Sequence, residues 1–139
     1  MADKLTDKPI HLGLGATAFS EASFTGDPAW YQAYSDRHAN DGAEGRLVSL
    51  HNFTEPWTVW EMHPVGAEVV MCIKGEMSLI QQMDDGSEKQ IALGEGEYAI
   101  NPPGVWHTAD VEGEATALFI TAGQGTENRD RSVIDQRSL

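Results

Sequence analysis

Three side chains that commonly bind metal ions lie within eight residues of one another: Glu61, His63 and Glu68. Side chains two positions apart in a β-strand point to the same face, so Glu61 and His63 are predicted to lie side by side. Residues 64–67 indicate a turn, after which an antiparallel strand would bring Glu68 back close to His63. A buried carboxylate is costly unless it is paired or bound to a cation. This face is therefore either a metal site or an ordinary solvent-exposed surface.

His107 is a fourth candidate ligand. It follows a rigid Pro-Pro-Gly turn at 102–104, and the strand that this turn leads into would have Val105, His107 and Ala109 at its inward positions. Together with the first three residues, it completes a set of two imidazoles and two carboxylates. Such a set suits Zn, Fe, Mn, Ni or Co, and spacing alone does not choose among them.

The elements that would position these residues are short β-strands. Turn-forming Gly, Pro and Asp separate apolar and β-branched runs, and Asp84-Asp85-Gly86-Ser87 is a strong hairpin signal. This pattern predicts a closed or sandwiched antiparallel β-structure. The predicted strands are 47–53, 58–63, 68–74, 76–82, 88–92, 97–100, 106–109 and 115–122.

The two ends of the chain differ from this strand-rich centre. Residues 1–45 are predicted to form an N-terminal extension with one short helix, which begins at Asp27 as N-cap and Pro28 as first helical residue. Residues 46–122 would form the barrel. Residues 123–139 are polar and are expected to be an exposed tail or an arm that contacts a partner subunit.

Two segments resemble the two motifs of the cupin superfamily. The run from Glu61 to Gly75 is similar to the first motif, His-x-His, three or four residues, Glu, six residues, Gly. The run from Gly96 to His107 is similar to the second motif, Gly, five residues, Pro-x-Gly, two residues, His. Both occur in the family's order, with 20 residues between Gly75 and Gly96, and the resemblance spans roughly residues 47–121.

The resemblance implies an all-β, double-stranded β-helix (jelly-roll) barrel that holds one divalent metal ion, Fe, Mn, Zn or Ni. Its ligand positions fall on Glu61, His63, Glu68 and His107. Glu61 stands where the family usually has a His, and Val111 replaces the Asn that often ends the second motif. The extra carboxylate favours Mn, Fe or Zn over copper. It also allows Glu61 to stay off the metal as a general base; a decayed metal site on a plain binding scaffold is the alternative.

Such a barrel is expected to be a metal-dependent enzyme that acts on a small organic molecule. The chemistry that the resemblance suggests is dioxygenase-like oxidation, with isomerase or lyase chemistry next. The alternative is a non-catalytic barrel that binds or senses a small molecule or a metal. A storage or structural role gains no support from a preserved set of ligands.

Composition narrows the classes of partner. The chain has 139 residues, enough for one core, and 22 acidic against 9 basic residues give a formal charge of −13. This charge argues against binding to nucleic acid or to anionic membranes. A single cysteine, Cys72, excludes an intrachain disulfide, and no secretory signal or membrane-length apolar run is present. We therefore expect a cytoplasmic protein, and by family habit a homodimer.

Further predictions concern Cys72, Tyr98 and aromatic residues and histidines other than the proposed ligands. Cys72 is expected to pack in the core, and Tyr98 is expected to share an inward face with Ile100, packing there or presenting its hydroxyl near the metal. Trp57, Trp60 and Trp106 are predicted to form the aromatic walls of a pocket or an interface. Three histidines outside the motifs, His11, His38 and His51, receive no role.

Overall fold

A computed structural model of the chain describes residues 1–131. It has one α-helix, α1 (Pro28–Arg37), and two short 3-10 turns, Leu14–Ala16 and Ala39–Glu44. The strands are β1 (Ile10–Gly13), β2 (Thr17–Ser20), β3 (Arg46–Phe53), β4 (Val59–Met62), β5 (Glu68–Gly75), β6 (Met77–Gln82), β7 (Glu88–Leu93), β8 (Tyr98–Asn101), β9 (His107–Asp110), β10 (Ala115–Thr121) and β11 (Glu127–Asp130).

The strands form two antiparallel sheets. One has six strands in the order β2-β1-β3-β10-β5-β8, and the other has five in the order β11-β4-β9-β6-β7. Consecutive segments of the chain cross between the sheets, as in a jelly roll. The predicted all-β barrel with a short N-terminal helix is confirmed. No helix among residues 1–131 is long and apolar enough to span a membrane.

All eight predicted strands form, as β3 to β10, and α1 begins with Asp27 as N-cap and Pro28 as its first residue, as predicted. Three strands were not predicted: β1, β2 and β11. Each has only four residues; β1 and β11 pair with distant strands, and β2 forms a hairpin with β1. Residues 127–130 are therefore a sheet strand rather than a free extension, because they pair with β4. The rest of the predicted tail, 132–139, lies outside the described residues, and the division into three regions stays a prediction.

The core lies between the two sheets. Val70, Cys72, Leu79, Ala109 and Ala117 are all fully buried there. The core position predicted for Cys72 is thus confirmed. Its thiol hydrogen donates to backbone carbonyls of the following turn at 3.4–3.6 Å, and burial raises its pKa.

The inward position expected for Tyr98 and Ile100 is wrong. Their side chains are 60% and 50% exposed. Ala99 and Asn101 occupy the inward positions of β8 instead, because successive side chains of a strand alternate between its two faces. The hydroxyl of Tyr98 therefore does not reach the metal-site face.

Three glycines of the two cupin-like motifs have left-handed backbones. The φ angles of Gly75, Gly96 and Gly104 are 82°, 82° and 79°, a region that other residues rarely adopt. Each glycine lies in a turn that reverses the chain next to a strand of the site. Their conformation explains why glycine is the residue type at these motif positions.

Candidate metal centre

The four predicted ligands come from both sheets and meet inside the barrel. Glu68 begins β5 of the six-stranded sheet, whereas Glu61 in β4 and His107 in β9 are directly paired in the five-stranded sheet. His63 follows β4 immediately. The short turn after it returns the chain to Glu68, as the spacing predicted.

Their ligand atoms lie close together. The Nε2 atoms of His63 and His107 lie 3.2 Å and 3.1 Å from the two carboxylate oxygens of Glu68. Glu61 Oε1 lies 4.0 Å from His107 Nε2. One ligand atom from each of Glu61, His63 and His107 lies within 4.8 Å of the others. The structure therefore brings all four side chains together.

Hydrogen bonds at Nδ1 of His63 and His107 determine which ring nitrogen carries the proton and which carries the lone pair. Thr126 donates its hydroxyl hydrogen to the Gly123 carbonyl at 2.8 Å, so the 2.8 Å contact from His63 Nδ1 is donated by the imidazole. His107 Nδ1 donates to the Val105 carbonyl at 3.3 Å. In the neutral histidines both Nε2 atoms therefore carry lone pairs toward the site, the arrangement expected when partners outside the site orient ligating histidines.

The two inward nitrogens are the main electrostatic feature of the site. His63 Nε2 and His107 Nε2 are buried and have no aligned hydrogen-bond partner, although oxygens of Glu68 lie close to both. Buried polar atoms are normally satisfied. Two imidazole lone pairs that face a carboxylate repel it unless a cation lies between them. The donor set and these two unsatisfied nitrogens fit a divalent metal ion.

Glu68 is held in place by a buried polar network. Asn101 Nδ2 donates to one carboxylate oxygen at 3.0 Å, and the Thr121 hydroxyl donates to the other at 2.6 Å. Gln81, from the opposite sheet, donates to Asn101 Oδ1 at 2.9 Å. Burial alone would raise the pKa of Glu68, but hydrogen bonds and charge from His107 and His63 in their protonated forms hold that pKa well below the usual range. Glu68 is therefore ionised and rigidly oriented.

His63 and Glu61 have raised pKa values for different reasons. Burial alone would lower the pKa of His63, but the carboxylates of Glu68 and Glu61 outweigh it and raise that pKa. The pKa of Glu61 is raised by burial and by the negative charge of Glu68. Solvent reaches 31% of the Glu61 side chain, against 4% of Glu68. Glu61 is thus the carboxylate that a solute can reach.

One aromatic ring, that of Trp57, lies beside the site and packs on a group of rings that extends into the core. We call Phe24, His51, Phe53, Trp57 and Phe119 the aromatic wall. Trp57 lies with its ring centre 6.3 Å from that of His107 and packs on Phe53 at 5.6 Å and Phe119 at 5.9 Å. Phe24 packs on His51 at 4.9 Å, so the N-terminal segment adds to the wall. The wall predicted for Trp57 is found next to the ligands.

Trp60 and Trp106 lie elsewhere. The guanidinium of Arg129 stacks 5.8 Å from the Trp60 ring and 4.3 Å from the Trp106 ring. Trp60 points away from Glu61, because neighbouring positions of β4 face opposite sides. These two rings therefore fasten β11 to the sheet rather than line the site.

Helix α1 reaches the same side of the barrel through Tyr31. The Tyr31 ring packs on Phe24 at 5.7 Å. Its pKa is raised by burial and by the negative charge of Glu61. The N-terminal extension thus brings a phenol into the electrostatic field of Glu61.

A second histidine cluster lies in the N-terminal region. His11 contacts Tyr34 and Asp41 through its two ring nitrogens, each at 2.6 Å, and His38 contacts Glu21 at 2.9 Å. The two imidazoles stack at 3.6 Å with 13° between their planes. Lone pairs lie in the ring plane, so stacked rings do not converge on one ion. These contacts instead hold α1 against β1.

Sequence reasoning missed the residues that orient the ligands: Asn101, Thr121, Gln81 and Thr126. Gln81 alone had a local signal, because it is a polar residue at an inward position of β6, after Met77 and Leu79. The roles of Asn101 and Thr121 appear only from strand register, which pairs both with Glu68.

Comparison with known proteins agrees with this architecture. The family model for the cupin domain matches residues 54–123, half of the chain. No curated protein matches the chain. Among solved structures, a recombinant oxalate oxidase in complex with glycolate matches with a TM-score of 0.52 and 19% identity, over 59% of this chain and 45% of that one.

Two further structures are similar. An oxalate oxidase studied for its mechanism matches with a TM-score of 0.51 and 19% identity, over 58% of this chain and 44% of that one. A cupin superfamily protein from Desulfitobacterium hafniense matches with a TM-score of 0.47 and 21% identity, over 55% of this chain and 65% of that one. This chain spans less than half the length of either oxalate oxidase chain. At these identities the likeness describes the fold.

Proposed function

This chain belongs to the cupin superfamily, and on that basis we propose that it is a metal-dependent enzyme that acts on a small organic substrate. The proposed ligands are His63, His107, Glu68 and, in the resting state, Glu61. The observation that carries the proposal is the pair of buried imidazole nitrogens that face one carboxylate without aligned partners. Dioxygenase-like oxidation is the first expected chemistry, with isomerase or lyase chemistry next.

A divalent ion at this position, Fe, Mn, Zn or Ni, would supply Lewis-acid chemistry or, for Fe and Mn, redox chemistry. The chain's own residues do the rest. Thr126 and the Val105 carbonyl keep Nε2 of each histidine unprotonated. Asn101 and Thr121 keep the Glu68 carboxylate aimed at the same point. The ligands are thereby oriented before the metal binds.

Glu61 is proposed to act as the general base. A base works best when its pKa lies near the working pH, and the pKa of Glu61 is raised by burial and by the charge of Glu68. It is also the carboxylate of the set that solvent reaches. We infer that Glu61 accepts a proton from the substrate and returns it to a neighbouring atom or to water.

The aromatic wall supports an organic substrate. Rings next to a metal centre give a flat, apolar surface that excludes water and packs on the carbon skeleton of a ligand. Trp57 stands nearest to His107. The polar end of the substrate would then face Glu61 and the ligands.

The test begins with the metal. The full chain is purified without added metal, its metal content is measured by mass spectrometry, and O₂ consumption and product formation are followed with a panel of small acids, phenols and ketones. We expect about one divalent ion per chain, and no bound metal in a variant with His63→Ala and His107→Ala. The matched control, His51→Asn, should keep the metal.

Several results would decide against the proposal. Stoichiometric metal in the double histidine variant would show that the ion binds elsewhere. A site that stays empty with every metal offered would leave only a binding scaffold. Ligand-induced thermal stabilisation without turnover would favour the alternative, a non-catalytic barrel that senses a small molecule or a metal.

The remaining expectations stay proposals. A cytoplasmic location rests on the single cysteine, which is free and buried. The absence of nucleic-acid or membrane partners rests on the formal charge of −13. The homodimer expectation rests on family habit and on the apolar aromatic residues of the N-terminal segment.

A further inference from the structure

Within the part of the chain that the structure describes, helix α1 contacts the barrel through side chains, without a backbone hydrogen bond to any strand. The backbone hydrogen bonds of residues 28–38 run within the helix and its flanking turns. The segment before the helix is tied down, by contrast, since the backbone N–H groups of Glu21 and Phe24 donate to carbonyls in the segment 7–9 at 2.7–2.8 Å. The helix is therefore a separate piece of the N-terminal extension rather than part of a sheet.

The packing of α1 is also sparse. Only Trp30 among its ten residues is buried. The Trp30 ring packs on Phe24 at 5.0 Å, and its indole N–H donates to the Ala22 carbonyl at 3.2 Å. Tyr31 packs on the same Phe24 ring and is 44% exposed. Segments with few buried apolar contacts open most easily, so the helix can leave the barrel without unfolding the strands.

Glycines with left-handed backbones lie on both sides of α1. Gly26 precedes the N-cap residue with φ +78°, and Gly42 follows the helix with φ +58°. Among the described residues, a Cβ at Gly42 would meet nothing within 4 Å, and one at Gly26 would meet only the Phe24 ring. Close packing therefore requires neither glycine, and the φ and ψ angles of glycine change at low cost. Hinges are commonly a few such positions at the ends of an element.

His11 of β1 holds two side chains from α1 and the turn after it. His11 Nδ1 lies 2.6 Å from the Tyr34 hydroxyl, and His11 Nε2 lies 2.6 Å from the Asp41 carboxylate. A carboxylate only accepts hydrogen bonds, so Nε2 of neutral His11 carries the hydrogen and the Tyr34 hydroxyl donates to Nδ1. Burial and the negative charges of Glu21 and Asp41 raise the pKa of Tyr34, which keeps the hydroxyl hydrogen in place for this bond.

Glu21 holds two further side chains from the end of α1. Its side chain is 2% exposed, and its two oxygens accept hydrogen bonds from Arg37 at 2.6 Å and from His38 at 2.9 Å. The His38 ring also stacks on that of His11 at 3.6 Å. Hydrogen bonds to an ionised group are the stronger kind, although the net contribution of each to a folded state is modest. We call six side chains the clasp: His11, Glu21, Tyr34, Arg37, His38 and Asp41.

Helix α1 also lies on the side of the barrel where solvent reaches the candidate metal site. Burial and the negative charge of Glu61 raise the pKa of Tyr31. Phe24, on which Tyr31 packs, contacts His51 of the aromatic wall at 4.9 Å. Movement of α1 would therefore change the access to Glu61, the carboxylate of the site that solvent reaches.

We propose that residues 27–41 are a lid, hinged at Gly26 and Gly42 and fastened by the clasp, whose opening controls the passage of metal ions and small solutes to Glu61. The movement of the lid depends on the fold alone, whereas its effect on metal exchange rests on the proposed function. Removal of one clasp contact raises the population of the open state, because only the closed state has that contact.

The first test needs no metal. NMR relaxation dispersion on the metal-free full chain detects exchange on the microsecond-to-millisecond timescale of lid motions. We expect exchange confined to residues 27–41 and the rings they cover, with Arg37→Ala raising the open population by about tenfold. Tyr34→Phe keeps the ring but removes a hydrogen bond to the barrel, and it should act in the same direction. Gln32→Ala is the matched control and should change nothing, because the exposed Gln32 amide is bonded to Asp36 within the helix.

The second test follows metal exchange. Uptake of Mn²⁺ or Zn²⁺ by the metal-free chain, and removal of the ion by a chelator, are timed after rapid mixing. We expect Arg37→Ala and Tyr34→Phe to speed uptake and release by the same factor, about tenfold, and to leave the Kd unchanged, because the lid supplies no ligand. A variant that merely loosened the metal site would speed release alone and raise the Kd.

Three results would overturn the lid. One is relaxation that is the same in residues 27–41 and in the strands, for the wild type and for both clasp variants. Another is equal rates of metal exchange in all these proteins, and the third is a raised Kd with unchanged uptake. If the wild type binds no metal, the proposed function fails, and the relaxation measurement still decides whether the lid moves.

Discussion

Glu61 differs from the other three candidate ligands in its accessibility. Its side chain is 31% exposed, whereas the side chains of His63, Glu68 and His107 are at most 6% exposed. It also stands where the family motif usually has a histidine. Under the proposed function, Glu61 would both bind the metal and accept a proton from the substrate, two roles that usually belong to separate residues.

Two substitutions at position 61 separate these roles. Glu61→His restores the usual ligand and should preserve or tighten metal binding, because imidazole is a good ligand for the same ions. It should still lower turnover, since the base is lost. Glu61→Gln should keep the shape and lower kcat by about 10²- to 10⁴-fold. Metal content and kcat are measured for both; unchanged kcat in Glu61→Gln would show that Glu61 is not the base.

His51 gives a prediction for stability against pH. Burial among Phe24, Phe53 and Phe119 lowers its pKa below the usual value. A histidine with a lowered pKa in the folded state contributes stability above its unfolded pKa, and this contribution is lost as the pH falls. The metal-free wild type should therefore lose more stability than His51→Phe between about pH 7.5 and about pH 5.

Thermal unfolding of the two metal-free proteins across this range is the measurement. The difference between their curves isolates His51, because the other titrating groups are common to both. Parallel curves would show that the His51 ring protonates as easily in the folded as in the unfolded chain.

At the scale of elements, the turn after β5 depends on Gly75. A Cβ at this position would lie 2.1 Å from the Glu114 carbonyl oxygen, and the backbone φ is +82°. Both the left-handed conformation and the approach of β10 therefore exclude a side chain. The motif glycine therefore lies where the residue before β10 comes too close to the end of β5 for a side chain.

Gly75→Ala should destabilise the fold by more than about 3 kcal/mol, since backbone strain of about 1–2 kcal/mol adds to the clash. Gly86→Ala is the matched control: its φ is +85°, but a Cβ there meets nothing within 4 Å. That variant should lose about 1–2 kcal/mol only. Denaturant unfolding measures both, and equal losses would mean that the clash with Glu114 is relieved by a small backbone shift.

At the scale of the molecule, the candidate metal site takes its residues from both sheets. Glu68 belongs to the six-stranded sheet, while Glu61 and His107 belong to the five-stranded one. Without a metal, Gln81 and Asn101 make the buried polar contact between them. An ion held by ligands from both sheets would oppose their separation, so metal binding should stabilise the whole fold.

Metal loading should raise the free energy of unfolding by about 2.7 kcal/mol when free metal is roughly 100 times its Kd. A chelator should reverse the gain, and the variant with both histidines replaced by alanine should show none. Thermal unfolding with Mn²⁺, Fe²⁺ or Zn²⁺ is the measurement. A gain that persists in the double variant would place the ion outside the barrel.

Features that depend on local spacing could be predicted from the sequence. The pleat of a strand puts Glu61 and His63 on one face, and the turn at 64–67 returns Glu68, whatever the rest of the chain does. The eight central strands and the start of α1 also follow local patterns. The alternation of β8 was ambiguous, because Tyr98, Ala99 and Ile100 could each face the core, and the inward position went to the smaller side chain and to Asn101.

Features that depend on register between distant segments were decided only by the tertiary structure. Pairing across strands brings Asn101 and Thr121 to Glu68, and packing between sheets brings Gln81 to Asn101. Sequence therefore determined which residues could bind a metal, and the strand pairing determined what orients them, because register links positions that no local pattern connects.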